Sequence, residues 1–464
     1  MKLRCTASVG VILACLAYGL DGLLCAAARV DGEQLAIRRK DVLRSKPAAF
    51  ETSFRKDAKR NLTLPEPTSY GYLDVNPEKG SAMYYMYFEA QEASPHDKDV
   101  PIILWLQGGP GCSSFFGMLY INGPYFVNDD LTLRRNLGSW NRMYGMLFIE
   151  QPIGVGFSKR GSASIPDNEL DVAWDLYRAL QSFYRTDPEL QSRPLIITGE
   201  SYAGKYVPSI SHFILQVCMK LSQHVEAPVF TLGGLAVGNG FTDAETQTAV
   251  QAEVAWGMGL IDTVQRRVAE GMQQEIIELV RSREWRAARN KSDALLRYIS
   301  TAGGAATLED VRRNTGYDSR NQVDEYLNSP PLRQLLAPSG VPPASDLAWE
   351  SCSGEVDAVM GHDVMKSVKG LVSDLLQYKP VLLYQGQWDA ECGVGSNDAW
   401  IHTLQWHGHG GFTAAPRKFW WVNGRIAGFW KSYNTLDLLV LRNTGHMVPH
   451  DNPLVSRTMS YSGL

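Results

Sequence analysis

Residues 194–204, PLIITGESYAG, form the stretch that decides the fold of this 464-residue chain. An apolar run of strand length enters the stretch, and residues 205–217 leave it with the spacing of a helix. Between the two, Gly199-Glu200-Ser201-Tyr202-Ala203 matches the nucleophile elbow G-x-S-x-G, with alanine in place of the second glycine. A chance match on spacing is the alternative, and the strand–turn–helix setting disfavours it. The stretch therefore predicts that Ser201 is a nucleophile whose hydroxyl lies at the top of a sheet, after the end of a strand.

Short apolar runs that end in turn residues recur on both sides of this elbow, as expected for the strands of a sheet. They span residues 70–75, 82–89, 100–106, 144–150, 230–237, 380–384, 417–422, 425–433 and 436–441. Helical stretches such as residues 170–185 alternate with several of them, which is typical of a mostly parallel sheet with helices on both faces. Asn423-Gly424 between two of the runs is a hairpin signal. We therefore predict the α/β class.

Residues 242–370 differ in character and are predicted to be an inserted, mainly helical cap. They are rich in Gln, Arg and Glu, with helical spacing over residues 264–288 and Pro/Ser loops over residues 329–343. The core then consists of residues 67–241 and residues 371–464.

The charge balance argues against two broad classes of protein. Lys and Arg number 45 against 49 Asp and Glu, so the net charge is 45 − 49 = −4, and the hydrophobic fraction is 44%. A disordered chain has low hydrophobicity and high net charge. A nucleic-acid binder needs a basic excess to meet the phosphate backbone. We therefore expect a folded protein without a nucleic-acid partner.

The first residues have the pattern of a secretory signal peptide, assigned to residues 1–28. Lys2 and Arg4 precede an apolar run over residues 9–20, and Ala26-Ala27-Ala28 offers a small-residue cleavage site. A membrane anchor is less favoured, because the apolar run is interrupted and no later stretch reaches the ~20 apolar residues of a spanning helix. Residues 29–66 are polar and aperiodic, so we predict a pro-segment or an N-terminal arm.

This leader predicts entry into the secretory pathway, with an extracellular or a vacuolar/lysosomal destination. Asn61 and Asn290 begin N-x-S/T sequons that are compatible with glycosylation there. Such tripeptides also arise by chance, so each remains an expectation.

Two residues downstream of the elbow complete a possible triad in the order Ser, Asp, His. Asp389 follows the strand at residues 380–384, and His446 follows the strand at residues 436–441. Both lie beyond the carboxyl end of a predicted strand, where open α/β sheets place their sites. The alternative, a loop-capping aspartate and an ordinary histidine, explains neither the order nor the placement.

Gly108-Gly109-Pro110-Gly111 follows the strand at residues 100–106 and offers backbone N–H groups near the nucleophile. We interpret it as one half of an oxyanion hole, completed by the N–H of Tyr202. A phosphate loop is excluded because no Lys-Ser/Thr follows. A simple turn stays possible.

At this point the motifs resemble a known family. Residues 105–114 (WLQGGPGCSS), 199–204 (GESYAG) and 445–449 (GHMVP) are similar to the serine carboxypeptidase family. Residues 151–158 and 238–240 fit it too, and the likeness runs from about residue 70 to the C-terminus. Gln107, where many members have Asn, points to the vitellogenic-like carboxypeptidase branch.

The resemblance implies an α/β-hydrolase fold and the removal of single residues from the C-termini of peptides or proteins, without a metal or cofactor. It gives Ser201, Asp389 and His446 the catalytic roles and Gly109 and Tyr202 the oxyanion hole. It assigns recognition of the substrate carboxylate to Gln107, Gly108 and Glu200. It places Trp105, Cys392 and Met447 near the site, and it implies a disulfide between Cys112 and Cys352. The remaining thiols would be Cys392 and Cys218, the latter interpreted as a buried small hydrophobe.

Two further expectations concern recognition of the substrate carboxylate. Glu200 can hydrogen-bond a substrate carboxylate only when one of the pair is protonated, so we expect a raised Glu200 pKa and weaker peptide binding at higher pH. The family often has a supporting Glu where this chain has Ile121, which leaves the network incomplete.

A serine carboxypeptidase that works through an acyl-enzyme at acidic pH is the first interpretation, and two alternatives stay open. One is an acyltransferase of the same architecture, which Glu200 disfavours because that branch commonly has Asp there. The other is a non-catalytic stabilising or binding protein. A homodimer is also possible.

Overall fold

The computed structural model describes residues 66–93, 97–220, 225–317, 320–343 and 345–463. The predicted signal peptide (residues 1–28), nearly all of the N-terminal arm and the Asn61 sequon lie outside the described residues.

A ten-stranded mixed sheet runs through the molecule, in the order β1-β2-β6-β3-β7-β8-β9-β12-β11-β10, and β4 and β5 form a separate two-stranded ribbon. The strands are β1 Ser69–Asn76, β2 Ser81–Phe88, β3 Ile102–Leu106, β4 Tyr125–Val127, β5 Leu133–Arg135, β6 Gly145–Ile149, β7 Pro194–Glu200, β8 Thr231–Gly238, β9 Val381–Gly386, β10 Lys418–Val422, β11 Arg425–Tyr433 and β12 Leu436–Leu441.

The six central strands, from β6 to β12, are parallel, and antiparallel pairs close both edges. Side chains of β3 alternate between two hydrophobic clusters, with Leu104 in one and Trp105 in the other. A sheet that is buried on both faces explains why the central strands are continuous apolar runs. At one edge Asn423 and Gly424 both have positive φ, as the predicted hairpin turn requires.

Helices cover both faces of the sheet. They are α1 Ser114–Tyr120, α2 Glu169–Thr186, α3 Ala203–Cys218, α4 Ala244–Thr248, α5 Gln251–Gly257, α6 Thr263–Arg281, α7 Trp285–Gly303, α8 Arg320–Leu327, α9 Pro330–Leu336, α10 Gly354–Met360, α11 Lys369–Leu375, α12 Val394–Ile401, α13 His409–Ala414, α14 Val448–Asp451 and α15 Pro453–Gly463. Leu176 of α2 and Ile210 of α3 pack into one cluster, whereas Phe115 of α1 and Met459 of α15 pack into the other. The predicted α/β class is confirmed.

The described residues between β8 and β9 form helices and no strand. The helical spacing predicted over residues 264–288 belongs to two helices, because Arg283 adopts a left-handed φ of 63° and ends α6 before α7 begins. The prediction of loops over residues 329–343 was partly wrong. Prolines at the first positions of α9 start a helix there, since their fixed φ and missing N–H are tolerated in a first turn.

Within the described ranges, no helix combines the length and the apolar character that crossing a bilayer requires.

Candidate active site

Ser201 sits at the junction of β7 and α3 with a left-handed φ of 64°, which is rare for a residue with a side chain. Its N–H donates to the carbonyl oxygen of Gly238 at 3.1 Å, and its own carbonyl oxygen accepts from Gly204 N and Phe241 N, both at 2.9 Å. These bonds hold the turn in place from both sides. The geometry is that of the predicted nucleophile elbow.

The small residues of the elbow are required by close backbone contacts. A Cβ on Gly199 would lie 2.4 Å from the carbonyl oxygen of Leu106 and 2.6 Å from Ala203 Cβ. A Cβ on Gly204 would lie 2.7 Å from Phe241 N. Alanine at position 203 is therefore accommodated only because Gly199 faces it.

His446 and Asp389 are brought together at the carboxyl ends of β12 and β9. His446 Nδ1 lies 2.7 Å from Asp389 Oδ2, and both side chains are buried. Asp389 Oδ1 accepts from the backbone N–H groups of Glu391 (2.8 Å) and Cys392 (3.0 Å). The carboxylate is thus fixed by its own loop while it orients the imidazole ring.

Asn239 is a supporting residue to which the sequence motifs gave no role. Its Nδ2 donates to Asp389 Oδ2 at 2.7 Å, and its Oδ1 accepts from Gly386 N at 3.0 Å. The side chain therefore ties the end of β8 to the loop that carries Asp389. The signal was present in the Asn-Gly pair that follows a buried strand, since Asn tolerates the φ of 43° found there.

Burial alone would lower the pKa of His446, but the charge of Asp389 and its hydrogen bond raise it, with smaller contributions from Glu309 and Glu200. No hydrogen bond joins Ser201 to His446 among the residues described here. Such a bond often tightens only when substrate is present.

A strap at residues 308–311, from the segment between β8 and β9, connects the two loops of the triad. The carbonyl oxygen of Glu309 accepts from His446 N at 2.7 Å. On the other loop, Leu308 O accepts from Ala390 N (2.8 Å), and Val311 N donates to Trp388 O (3.1 Å). The strap therefore fixes the position of Asp389 relative to His446. No motif in the sequence pointed to it.

The predicted oxyanion loop lies against the elbow. A Cβ on Gly108 would lie 2.6 Å from Tyr202 N and 2.8 Å from Ser201 Cβ, so only glycine allows this approach. Within the described chain, the N–H groups of Gly109 and Tyr202 donate no hydrogen bond. Gly109 has a φ of 111°, which a side chain would not permit. Two N–H donors are thus available near Ser201.

A chain of hydrogen bonds connects the expected carboxylate-recognition residues. Trp105 Nε1 donates to Gln107 Oε1 at 3.1 Å, and Gln107 Nε2 donates to Glu200 Oε1 at 3.0 Å. Glu200 Oε2 is buried and has no hydrogen-bond partner within the described residues. Burial raises the pKa of Glu200 to about 7, while His446 and the Gln107 hydrogen bond oppose the rise. A protonated Glu200 can therefore donate to a substrate carboxylate.

Ile121 and Gly117 are two further residues that bear on these hydrogen bonds. Ile121 is fully buried, and its aliphatic side chain can neither donate nor accept a hydrogen bond. Gly117 of α1, which the motifs did not single out, faces Trp105: a Cβ there would lie 2.3 Å from Trp105 Nε1 and 3.0 Å from Gln107 Oε1. The Trp105–Gln107 hydrogen bond thus requires glycine at position 117.

Cys112 and Cys352 form the disulfide that the family resemblance implied. It joins the oxyanion loop to the segment between β8 and β9. Glu150 supports the same junction, because its buried carboxylate accepts from Ser113 Oγ (2.7 Å) and Trp349 Nε1 (2.6 Å). No sequence motif indicated this role for Glu150.

Cys392, Met447 and Cys218 differ in their surroundings. Cys392 is a free, buried thiol that follows Asp389 by three residues, and burial raises its pKa well above the usual range. It is therefore not a reactive thiolate. Met447 is buried beside His446. The interpretation of Cys218 as a thiol was wrong: it is disulfide-bonded and only partly buried.

A cleft of about 100 Å³ opens beside Ser201. It is bordered by Gly109, Tyr202, Cys392 and residues of α7. Asn290, the second sequon, is exposed on α7, and Ser292 of the same sequon lines the cleft.

This geometry agrees with comparisons to known proteins. A family model described as serine carboxypeptidase matches residues 60–464. The chain belongs to the serine carboxypeptidase family. Serine carboxypeptidase-like 50 of Arabidopsis thaliana is 41% identical over 398 residues, which cover 85% of this chain and 86% of the relative. The probable serine carboxypeptidase CPVL of Homo sapiens is 31% identical over 396 residues, which cover 83% of this chain and 80% of the relative. The predicted likeness to the vitellogenic-like branch is confirmed by relatives of that name.

Among solved structures, the prohormone-processing carboxypeptidase Kex1 from Saccharomyces cerevisiae superposes with a TM-score of 0.73 at 26% identity. The alignment covers 85% of this carboxypeptidase and 90% of that chain. The α/β-hydrolase fold is thereby confirmed. Membership makes the protein a serine-type carboxypeptidase, a hydrolase whose substrates are peptides.

Proposed function

We propose that this carboxypeptidase removes C-terminal residues through an acyl-enzyme on Ser201, with His446 as general base and Asp389 as the residue that orients it. The observation that carries the proposal is the 2.7 Å contact between His446 and Asp389, beside a serine held at a left-handed strand end. A strained backbone and a buried pair of ionisable groups both cost free energy, and such features cluster at functional sites.

In the first half-reaction, Ser201 Oγ attacks the carbonyl carbon of the last peptide bond while its proton passes to His446. The developing oxyanion is stabilised by the N–H groups of Gly109 and Tyr202. The C–N bond then breaks, and His446 returns the proton to the leaving amine. Water repeats these steps on the acyl-enzyme and releases the shortened peptide with Ser201 restored.

The free carboxylate of the substrate would bind at Glu200 and Gln107, with the backbone of Gly108 alongside. Glu200 Oε2 is buried and has no hydrogen-bond partner in the described part of the chain, so in its protonated form it can donate a hydrogen bond to one carboxylate oxygen. This requires a protonated Glu200, whose pKa is raised to about 7 by burial. We propose an acidic working range because substrate binding requires this proton, while His446 accepts the Ser201 proton only in its neutral form.

We also propose a cellular compartment for the enzyme. The Cys112–Cys352 disulfide supports an oxidising compartment, and thus the secretory pathway with an extracellular or vacuolar/lysosomal destination. The signal peptide at residues 1–28 and glycosylation at Asn61 and Asn290 remain predictions that mass spectrometry of the mature protein tests.

We also retain the division into a core, residues 67–241 and 371–464, and a cap at residues 242–370 as a proposal. The absence of strands between β8 and β9 in the described residues supports it. We also propose a homodimer, which the exposed Phe419 and Trp421 on edge strand β10 support. Analytical ultracentrifugation decides between monomer and dimer.

The test compares an N-blocked dipeptide with its C-terminal amide, for the wild type and Ser201→Ala. We expect release of the last residue from the free acid, little from the amide, and none with Ser201→Ala. Equal cleavage of acid and amide would contradict carboxylate recognition. Transfer to an added alcohol in place of hydrolysis would indicate an acyltransferase, and no turnover by folded wild type would indicate a binding protein.

A further inference from the structure

The cleft beside Ser201 lies on one side of the scissile bond only. Its lining includes Ser201 and both oxyanion residues, Gly109 and Tyr202, but neither Gln107 nor Glu200, which recognise the leaving residue. In the proposed reaction, which this inference presupposes, the residue on that side becomes the acyl group. The cleft therefore receives the side chain of the penultimate residue of the peptide.

The cleft combines an apolar wall with a polar end. Its apolar lining consists of Phe241, Leu295, Leu296, Val364 and Met365. Glu391 lines the cleft too, and its backbone is fixed on both sides. Its N–H donates to Asp389 Oδ1 at 2.8 Å, and its carbonyl oxygen accepts from Gln251 Nε2 at 3.0 Å. A long side chain with an apolar stem can thus reach the carboxylate of a residue whose backbone is held in place.

The charges in the cleft are unequally compensated. Arg289 donates to Asp293 at 3.0 Å and pairs with Asp357 at 3.4 Å, so its charge is balanced twice. Glu391 is partly buried, and its carboxylate makes no hydrogen bond or ion pair with the described residues. Arg289 Nη1 also has no hydrogen-bond partner among those residues. A preference for an acidic penultimate residue is therefore the alternative that the experiment below tests. The uncompensated charge of the cleft is that of Glu391.

We propose that Glu391, when its carboxyl group is ionised, selects peptides whose penultimate residue is lysine or arginine. The ammonium or guanidinium group reaches the Glu391 carboxylate while the methylene stem packs on the apolar wall. A charge-assisted hydrogen bond of this kind gives about a tenfold preference in kcat/KM over an uncharged side chain of similar length.

The preference depends on pH. Burial raises the pKa of Glu391 to about 7, Glu309 and Asp389 raise it further, and His446 and Arg289 oppose the rise. Below that pH the carboxyl group is neutral and cannot discriminate by charge. The selectivity therefore grows as the pH rises through about 7, whereas overall activity declines as Glu200 loses its proton.

The experiment measures kcat/KM for three N-blocked dipeptides that share a C-terminal leucine and carry lysine, methionine or glutamate before it. The ratio of two substrates cancels the effect of Glu200, because all three present the same carboxylate. We expect the Lys/Met ratio to be near one at about pH 5 and about tenfold at about pH 8. In Glu391→Gln the ratio stays near one at both values.

The matched control is Glu253→Gln, an exposed glutamate on the neighbouring helix α5 that does not line the cleft. It should keep the wild-type ratio. A Lys/Met ratio that is flat with pH, or that survives in Glu391→Gln, would overturn the proposal, as would a preference for glutamate through Arg289. Hydrolysis of the methionine substrate shows separately whether the proposed function itself holds.

Discussion

At Ser201 the backbone adopts a left-handed conformation that costs a residue with a side chain about 1–3 kcal/mol. The surrounding bonds to Gly238, Gly204 and Phe241 maintain it. Such a strained turn can be recognised in the sequence, because only small residues can flank it. The elbow could therefore be predicted. The Asn239-Gly240 pair indicated a turn, but the roles of Asn239 and Gly117 could not be predicted, because they depend on tertiary contacts with Asp389 and Trp105.

Glu200 gives the first prediction at this scale. Its pKa is raised to about 7, so it is protonated and can donate to the substrate carboxylate below that pH. We expect the KM of an N-blocked dipeptide to rise about tenfold between about pH 5 and about pH 8. Glu200→Gln keeps a donor at all pH values and should show a nearly flat KM. A wild-type KM that does not change with pH would contradict this role.

Gly117 gives the second prediction. Gly117→Ala places a methyl group against Trp105 Nε1 and Gln107 Oε1, which should break their hydrogen bond and raise KM about tenfold. Gly271→Ala is the matched control, since no atom of the described residues lies within 4 Å of a Cβ at that position of α6, and it should stabilise the fold by about 0.5–1 kcal/mol. Steady-state kinetics and urea unfolding measure both effects. Equal KM values in the two variants would refute the argument.

At the scale of elements, the long apolar strands were predictable because burial on both faces makes their pattern continuous. The ribbon of β4 and β5 was missed, since two strands of three residues leave too little pattern. The strap at residues 308–311 was also missed, because its backbone hydrogen bonds are independent of side-chain type. It nevertheless determines how the loops after β9 and β12 meet.

Arg312 clamps this strap to the His446 loop and gives the third prediction. It donates to Asp310 (2.6 Å), Asn443 (2.8 Å) and Asp451 (3.2 Å), and Asp451 in turn accepts from Gly445 N. Arg312→Gln should lower kcat about tenfold with KM nearly unchanged, because His446 is displaced while carboxylate recognition is intact.

The control is Arg297→Gln, an exposed arginine of α7, which should leave kcat unchanged. Active-site titration corrects for any loss of folded enzyme. A fall in kcat that matches the loss of titratable sites would assign Arg312 a purely structural role.

At the scale of the whole molecule, Glu150 and Glu200 are two of the buried glutamates that link stability to pH. Burial raises the pKa values of Glu150 and Glu200 to about 7, whereas a glutamate in an unfolded chain titrates near about 4.3. Between these values the unfolded chain binds fewer protons than the folded one. The contribution of both residues to the free energy of unfolding therefore falls as pH rises from about 4.3 to about 7.

Urea unfolding at about pH 5 and about pH 8 measures this fourth prediction. We expect the wild type to lose stability at the higher pH and the double variant Glu150→Gln/Glu200→Gln to lose less. An identical pH dependence in both proteins would show that these carboxyl groups do not titrate as described.

The central claim, that Ser201 forms the acyl-enzyme, is tested most directly by mapping the site of a fluorophosphonate adduct by mass spectrometry. The protein is labelled near its acidic working pH, digested, and searched for modified peptides. The account predicts one adduct, on Ser201, whose formation abolishes hydrolysis of an N-blocked dipeptide and is absent in Ser201→Ala. Full labelling at another residue, or hydrolysis that continues after Ser201 is fully modified, would contradict it.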